Sequence, residues 1–254
     1  MFRIFWLSIK DLFDELFVLI GINLLWVLIN LPLAALVGVL LVGGAFVPAS
    51  IALLLLVLTL GPANAGLYTV AERITEGRTA GFGVFFEGLR QNFKLGWKIY
   101  GVWMGGLLVI LINLYFYAHL NSPIGALLQL LFLYLLLLWN TLLIYIGPLM
   151  ILQADKRIRT LARNAFLMTL GRPVFTAGTA IMMVLILGVS VVFPVLCLVV
   201  TFAFLATWSF RATKKLIKDA ADRRAELEER AAATTGNAPQ STDKGRGGQV
   251  RPRE

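Results

Sequence analysis

The polar side chains in the most apolar parts of this chain carry amides and hydroxyls rather than charges. Three long stretches contain no Asp, Glu, Lys or Arg: 16–71, 99–154 and 173–210. The candidates within them for lining a polar cavity or joining helices are Asn23, Asn30, Asn64, Asn113, Asn140 and Thr141. An amide in hydrocarbon needs a hydrogen-bonding partner, which is commonly a neighbouring helix. We therefore expect adhesion between helices, with a cavity for the hydroxyl groups of a neutral solute as the alternative.

The same stretches argue against chemistry that depends on ionisable groups. Proton pumps and ion exchangers rely on charged or titratable side chains within the membrane, and catalysis commonly needs a general acid or base. The chain has a single cysteine, Cys197, and a single histidine, His119, which excludes an internal disulfide and His-rich metal sites. We expect no enzymatic activity, no cofactor and no metal.

The elements that must position these groups follow from the composition. Of 254 residues, 59% are hydrophobic and only 15% are charged, which is far too apolar for an ordinary soluble domain. A membrane-spanning helix needs about 20 apolar residues, so each of the two longest charge-free runs must fold back once. The third run is shorter, and two short spans fit it better than a single kinked helix. We predict an all-α, polytopic bundle of six transmembrane helices, at about 16–41, 48–71, 99–120, 126–152, 174–190 and 192–210.

The positive charge is confined to one side of this predicted bundle. All 23 Lys and Arg residues lie in the N-terminal segment, in the loops after the second and fourth spans, or in the C-terminal segment. None lies in the three opposite turns. By the positive-inside rule, this pattern predicts a multi-pass protein with both termini in the cytoplasm.

Three amphipathic stretches precede spans, at residues 5–16, 82–100 and 158–168. Each has apolar side chains at helical spacing and charged side chains opposite, which predicts helices that lie at the interface and face anionic lipid headgroups. The alternative is docking of a cytoplasmic partner, such as the ATPase subunit of another membrane transport complex. The candidate residues for contact with lipid or partner are Arg90, Asn92, Phe93, Lys94, Arg159 and Arg163.

Two Gly-Pro pairs lie inside predicted spans. Gly61 and Pro62 lie in the second span, and Gly147 and Pro148 lie in the fourth. Proline removes a backbone donor and clashes with the preceding turn, so both helices are predicted to kink there. The kinks serve either as packing bends or as hinges.

The chain thus divides into four predicted parts. Residues 1–15 form a cytoplasmic interfacial helix, 16–210 the membrane domain, and 211–233 a charged cytoplasmic helix. Residues 234–254 are polar and rich in Gly, Pro and basic residues, which predicts a disordered tail. The tail lacks the aromatic side chains on which nucleic-acid bases stack, so no nucleic-acid partner is expected.

Short motifs in the first 100 residues resemble the YesL-like family of bacterial integral membrane proteins, whose biochemical function is uncharacterised. The motifs are Asn23-Leu24-Leu25-Trp26, Leu31-Pro32, Gly61-Pro62-Ala63, Phe85-Phe86 and Asn92-Phe93-Lys94. The resemblance covers mainly residues 20–100 and implies an accessory role in carbohydrate uptake in the bacterial cytoplasmic membrane. We therefore predict an accessory factor in the uptake of a carbohydrate or another neutral solute. The alternative is an autonomous transporter or channel for a small neutral solute.

Overall fold

The computed structural model describes residues 2–234, so all of the predicted disordered tail except Thr234 lies outside the described residues. Every regular element in the described range is helical, which confirms the all-α prediction. The helices are α1 (Phe2–Asp14), α2 (Leu16–Val42), α3 (Phe46–Thr75), α4 (Phe82–Gln91), α5 (Phe93–Ala118), α6 (Pro123–Thr141), α7 (Leu143–Leu152), α8 (Ile158–Gly171), α9 (Pro173–Val192), α10 (Pro194–Leu196) and α11 (Phe202–Thr234), with a π-helical turn at Cys197–Thr201 between α10 and α11.

Six segments within the described residues are long and apolar enough to cross a membrane, as predicted. They are α2, α3, α5, α6 with α7, α9, and the segment that starts at Pro194. Two spans therefore occupy residues 173–210, and they separate at Phe193, the single residue between α9 and α10. The protein has the architecture of a multi-pass membrane protein.

Local sequence signals start and end several of these helices. Gly44 turns the chain between α2 and α3 with a φ of 71°, a left-handed conformation that glycine adopts without strain. Ser122 caps α6, because its Oγ accepts a hydrogen bond from the Gly125 N–H at 3.1 Å, and Pro123 occupies the first helical position. The two longest charge-free runs therefore each fold back once, as predicted, at Gly43-Gly44 and around Asn121.

Helix α3 is the centre of the bundle and packs against α2, α4, α5 and α7. Glycines make these contacts close. A Cβ at Gly61 would overlap the Gly96 carbonyl group of α5, so the two backbones touch there. A Cβ at Gly66 would lie 2.8 Å from the Phe85 ring and backbone of α4. Small residues at helix contacts give membrane helices their van der Waals packing.

Neither Gly-Pro pair interrupts its helix. Helix α3 is continuous through Gly61 and Pro62, and α7 is continuous through Gly147 and Pro148. In the fourth span, Leu142 separates α6 from α7, but its φ of −59° and ψ of −29° are helical, so the segment remains one span.

The predicted amphipathic stretch at residues 82–100 is divided in the structure. Helix α4 ends at Gln91, and α5 begins at Phe93 and continues into the third span. Phe85 and Gly88 form the buried face of α4 against α3, while Phe82 and Phe86 are exposed. The Phe82 ring lies against Gly21 of α2, and its exposed part can contact lipid together with the Phe86 ring.

Helix α1 packs along the last span instead of lying free. Ile4 and Ser8 are buried, and the Phe5 ring lies 5.2 Å from the Trp208 ring of α11. Further along α1, Asp11 accepts two hydrogen bonds from Arg211, at 2.5 and 2.6 Å. Since contacts near Phe5 and near Asp11 both fall on α11, the helix follows α11 over roughly 10 Å.

The chain separates into two compact units, Met1–Lys214 and Lys215–Glu254. The boundary between membrane domain and charged helix at residue 210 stays a prediction. In the described part of the second unit, Lys215 and Asp219 form an ion pair of 3.1 Å at a spacing of four residues, which supports a helix.

Candidate functional site

The side chain of Asn23 joins the second helix to the last span through four hydrogen bonds. Its Nδ2 donates to the carbonyl oxygens of Cys197 and Leu198, at 2.9 and 2.7 Å. Its Oδ1 accepts from the backbone N–H groups of Phe202 and Ala203, at 2.8 and 3.1 Å. Asn23 is fully buried, so this amide is committed to protein contacts.

The π-helical turn explains why these backbone groups need an external partner. A π-helix bonds each carbonyl to the N–H five residues later, so a short π segment within an α-helix leaves groups without their usual partners. Asn23 binds at both ends of the Cys197–Thr201 turn. Thr201 Oγ1 adds a bond to the Leu196 carbonyl at 2.9 Å and another to Ser190 Oγ of α9 at 2.7 Å. Three helices are thus joined at this irregular turn.

Asn30 joins α2 to α3, about two helical turns beyond Asn23. Its Nδ2 donates to the Trp26 carbonyl at 2.9 Å, and its Oδ1 accepts from Thr59 Oγ1 at 3.2 Å. The Trp26 ring packs on the Phe202 ring with centroids 4.0 Å apart. Both buried asparagines of α2 therefore face other helices.

The other four candidate polar residues bond within their own helices. Each donates to the carbonyl four residues earlier: Asn64 to Leu60, Asn113 to Val109, Asn140 to Leu136, and Thr141 to Leu137. Asn140 is exposed on the exterior of α6. Its Oδ1 and its second N–H have no partner among the described residues. The six candidates therefore divide into an interior pair and four residues without a bond to another helix.

A second polar cluster, which the sequence analysis missed, lies between α3, α5, α7 and α11. Ser209 Oγ donates to the Ile144 carbonyl at 2.5 Å. The N–H that would normally bond this carbonyl is absent, because the residue four positions later is Pro148. The buried Tyr68 side chain interacts with those of Ser209 and Tyr100.

Gly147 allows this cluster to close. A Cβ there would overlap the Tyr68 ring, so only glycine lets the phenol lie against α7. The adjacent Tyr145 is fully buried, and its hydroxyl lies 2.7 Å from Thr176 Oγ1 of α9. A tyrosine in an apolar run does not by itself predict a buried hydroxyl cluster, because its apolar ring is sufficient reason for the residue to be buried. The available signal was Pro148, which predicts an unbonded carbonyl four residues earlier.

Charged residues gather at the end of the bundle where α3 ends and α11 carries its first charged residue, Arg211. We call this end the charged side. Glu76 follows α3, accepts a hydrogen bond from Lys214 at 3.0 Å and pairs with Arg78. The hydrogen bond from Lys214 is the main cause that lowers the pKa of Glu76. Arg211, which pairs with Asp11 of α1, lies about one turn before Lys214 on α11. Ion pairs therefore tie α1 and α3 to α11 at this side.

The loop after α7 is also held by charge. Lys156 Nζ donates to the Met150 and Ile151 carbonyls at 2.5 and 3.1 Å, which satisfies carbonyls at the C-terminus of α7. Partial burial lowers the pKa of Lys156. The pKa of Asp155 is lowered chiefly by the hydrogen bond from the Arg157 backbone N–H and then by the one from Thr160.

The predicted lipid or partner residues occupy the exterior of α4, α5 and α8. Those that are exposed are Arg90, Phe93, Lys94, Arg159 and Arg163. Asn92 is half-buried at the junction of α4 and α5, where its Nδ2 donates to the Gly88 carbonyl at 3.2 Å. Four basic side chains and the Phe93 ring are therefore exposed on the surface that these helices form.

Residues 19–114 match the model of DUF624, a protein family of unknown function. No curated protein and no solved structure matches the chain significantly. The matched region contains most of α2 to α5 and overlaps the region of the YesL-like resemblance. It includes Asn23, Asn30 and the contact of Gly61 with Gly96, but not the π-helical turn that Asn23 binds.

Proposed function

We propose that this protein is a non-catalytic accessory factor of a bacterial cytoplasmic membrane, with both termini in the cytoplasm. It assists uptake of a neutral solute by contacting another membrane transport complex. The resemblance to the YesL-like family supports a carbohydrate as that solute. The distribution of lysine and arginine supports the orientation.

The observation that carries the proposal is the position of Asn140. Its amide lies on the exterior of a membrane-spanning segment, with only one N–H bonded within the described residues. An amide that faces hydrocarbon is costly unless it finds a partner, and polar side chains of this kind join membrane helices. Asn23 and Asn30, by contrast, bind other helices of this protein. The Asn140 amide is therefore free to bond to a partner on the exterior of the bundle.

A photoreactive residue placed at position 140 tests this contact in native membranes. We expect adducts with a component of a solute-uptake complex. Leu127 is the matched control, because it is exposed on the same helix and is wholly apolar. Equal adduct patterns from positions 140 and 127, or no transport component at position 140, would remove the basis of the accessory role.

An autonomous transporter or channel is the second candidate, and the buried hydroxyl cluster favours it. Tyr68, Tyr100 and Ser209 place polar groups among four helices. The nearby Trp103, whose ring lies 6.4 Å from that of Tyr100, has a buried indole N–H with no partner among the described residues. Reconstitution into liposomes separates the candidates. The accessory role predicts no solute flux from the purified protein, whereas flux that is lost in Tyr100→Phe would establish the transporter.

A further inference from the structure

An open apolar groove of about 340 Å³ lies beside the first helix. One wall is the face of α1 that carries Phe5, Ile9 and Leu12. The other wall is α9, and residues of the last span form the floor. Its volume is at the lower end of the range for ligand sites, about 300–1,000 Å³. The groove is thus large enough for a slender apolar ligand.

The lining offers almost no group that would recognise a polar ligand. Its two polar side chains are Ser190 and Thr201, whose oxygens lie 2.7 Å from each other. Ser190 Oγ is also within bonding distance of the Ile186 carbonyl, and Thr201 Oγ1 of the Leu196 carbonyl, so the two hydroxyl protons are shared among three contacts within the protein. Sugars and other hydroxylated solutes need convergent polar groups, so the groove does not suit them.

The depth of the groove indicates where its occupant comes from. Leu185 and Val189 lie in α9, and Val200 and Phe204 lie in the last span, so the lining belongs to segments that cross the membrane. Protein interiors leave few voids larger than a water molecule, and apolar cavities of greater size take up apolar guests. At this depth the surrounding apolar molecules are lipid chains.

We propose that this groove binds one acyl chain of a membrane phospholipid. This site is independent of the accessory role, which rests on Asn140 on a different helix. The bound chain fills the space between α1 and α9. Lipid composition then influences how firmly α1 packs on the bundle.

Photolabelling of the full-length protein tests the acyl site. The protein is reconstituted in phosphatidylcholine vesicles that contain a trace of phosphatidylglycerol with a photoreactive acyl chain. We expect adducts to concentrate on groove residues. Leu185→Trp fills the groove and should reduce that labelling several-fold. Val184→Trp is the matched control, because Val184 is similarly exposed on α9 but does not line the groove, and it should leave labelling unchanged.

Two outcomes would overturn the acyl site. One is labelling spread evenly over all exposed residues of α9, with the two tryptophan variants indistinguishable. The other is crosslinking between two protein copies through the groove, which would assign it to a second chain. If Leu185→Trp does not fold, Ile9→Trp fills the groove from the α1 side, and the same several-fold loss is expected.

Discussion

The asparagines of this bundle differ in whether they bond to another helix or to their own. Among the described residues, Asn23 bonds only to groups of the last span, and it replaces contacts that the π-helical turn disrupts. Asn113 donates to its own helix at Val109 and makes no bond to another helix in the described structure. The two amides should therefore differ sharply in their contribution to stability.

Replacement of Asn23 by leucine should destabilise the bundle. Four bonds of about 0.6 kcal/mol each, a typical value within membranes, predict a loss of about 2 kcal/mol. Unfolding in mixed micelles with increasing sodium dodecyl sulfate measures this free energy. Asn113→Leu is the control, and it should change the unfolding free energy by less than half as much. Equal losses in the two variants would contradict the stabilising role of the four Asn23 hydrogen bonds at the π-helical turn.

Ser209 and Pro148 should be coupled through the Ile144 carbonyl. Ser209→Ala leaves that buried carbonyl without a donor and should cost about 1–3 kcal/mol. Pro148→Ala restores a backbone N–H that can bond the same carbonyl, so Ser209→Ala should cost less in that background. A double-mutant cycle on unfolding free energies gives the coupling. Strictly additive losses would show that the hydroxyl does not substitute for the missing N–H.

The sequence could not distinguish these roles, for a physical reason. Helix α2 is apolar on every side, so no periodic pattern marks which side faces protein and which faces lipid. The type of Asn23 and Asn30 indicated a need for partners, but the partners of Asn23 lie more than 170 residues away. Pro148 did mark an unbonded carbonyl, although nothing in the sequence identified Ser209 as its donor.

Among the helices, α3 depends most on close backbone contact. Gly61→Ala would place a methyl group against the Gly96 carbonyl, where backbone rather than a flexible side chain must move. We expect a loss of about 1–3 kcal/mol in unfolding free energy, as for other overpacked sites. Gly105→Ala on α5 is the control, since no atom lies within 4 Å of an added Cβ, and it should be neutral or slightly stabilising. Similar losses at both glycines would contradict the contact.

The tie between the end of α3 and α11 should respond to pH. Because the pKa of Glu76 is lowered in the folded state, its ion pair with Lys214 stabilises the fold at neutral pH. This contribution is lost as the pH falls through the lowered pKa. Both side chains are about one-third exposed, so the effect should be no more than about 1 kcal/mol.

Comparison of Glu76→Gln with the unchanged protein isolates this contribution. The variant should be slightly less stable at neutral pH and equally stable in acid, as measured by unfolding in mixed micelles. Glu87→Gln is the control, because Glu87 is exposed and, within the part of the chain that the structure describes, bonds only to Gln91. A stability difference between Glu76→Gln and the unchanged protein that persists in acid would contradict the ion pair.

The sequence predicted the spans well and the shorter helices less well. Charge-free length is a property of the chain itself, so the six spans and their turns follow from it within a few residues. The position of α1 depends instead on the pair between Asp11 and Arg211, which are 200 residues apart. The break at Asn92, which separates α4 from α5, also has no clear signal, because the apolar spacing continues through it.

For the whole molecule, the dominant feature is the separation of charge from hydrocarbon. The 23 basic residues lie outside the three charge-free runs, and the ion pairs of Asp11 and Glu76 join helices at one boundary. The interior amides hold helices together, while Asn140 faces outward. A protein with this division is suited to contacting a membrane partner and lipid, which is the basis of the accessory role proposed here.

Labelling of single cysteines from each side of the membrane tests this arrangement. The test uses a Cys197→Ala background. Single cysteines are placed at Ser122 and Phe193, in two of the turns opposite the charged side, and at Thr79 and Ala154, in the loops on the charged side. A membrane-impermeant thiol reagent outside intact cells should label the first pair and not the second, and the pattern should reverse in inverted vesicles. Labelling of all four positions from the same side would contradict the six-span arrangement.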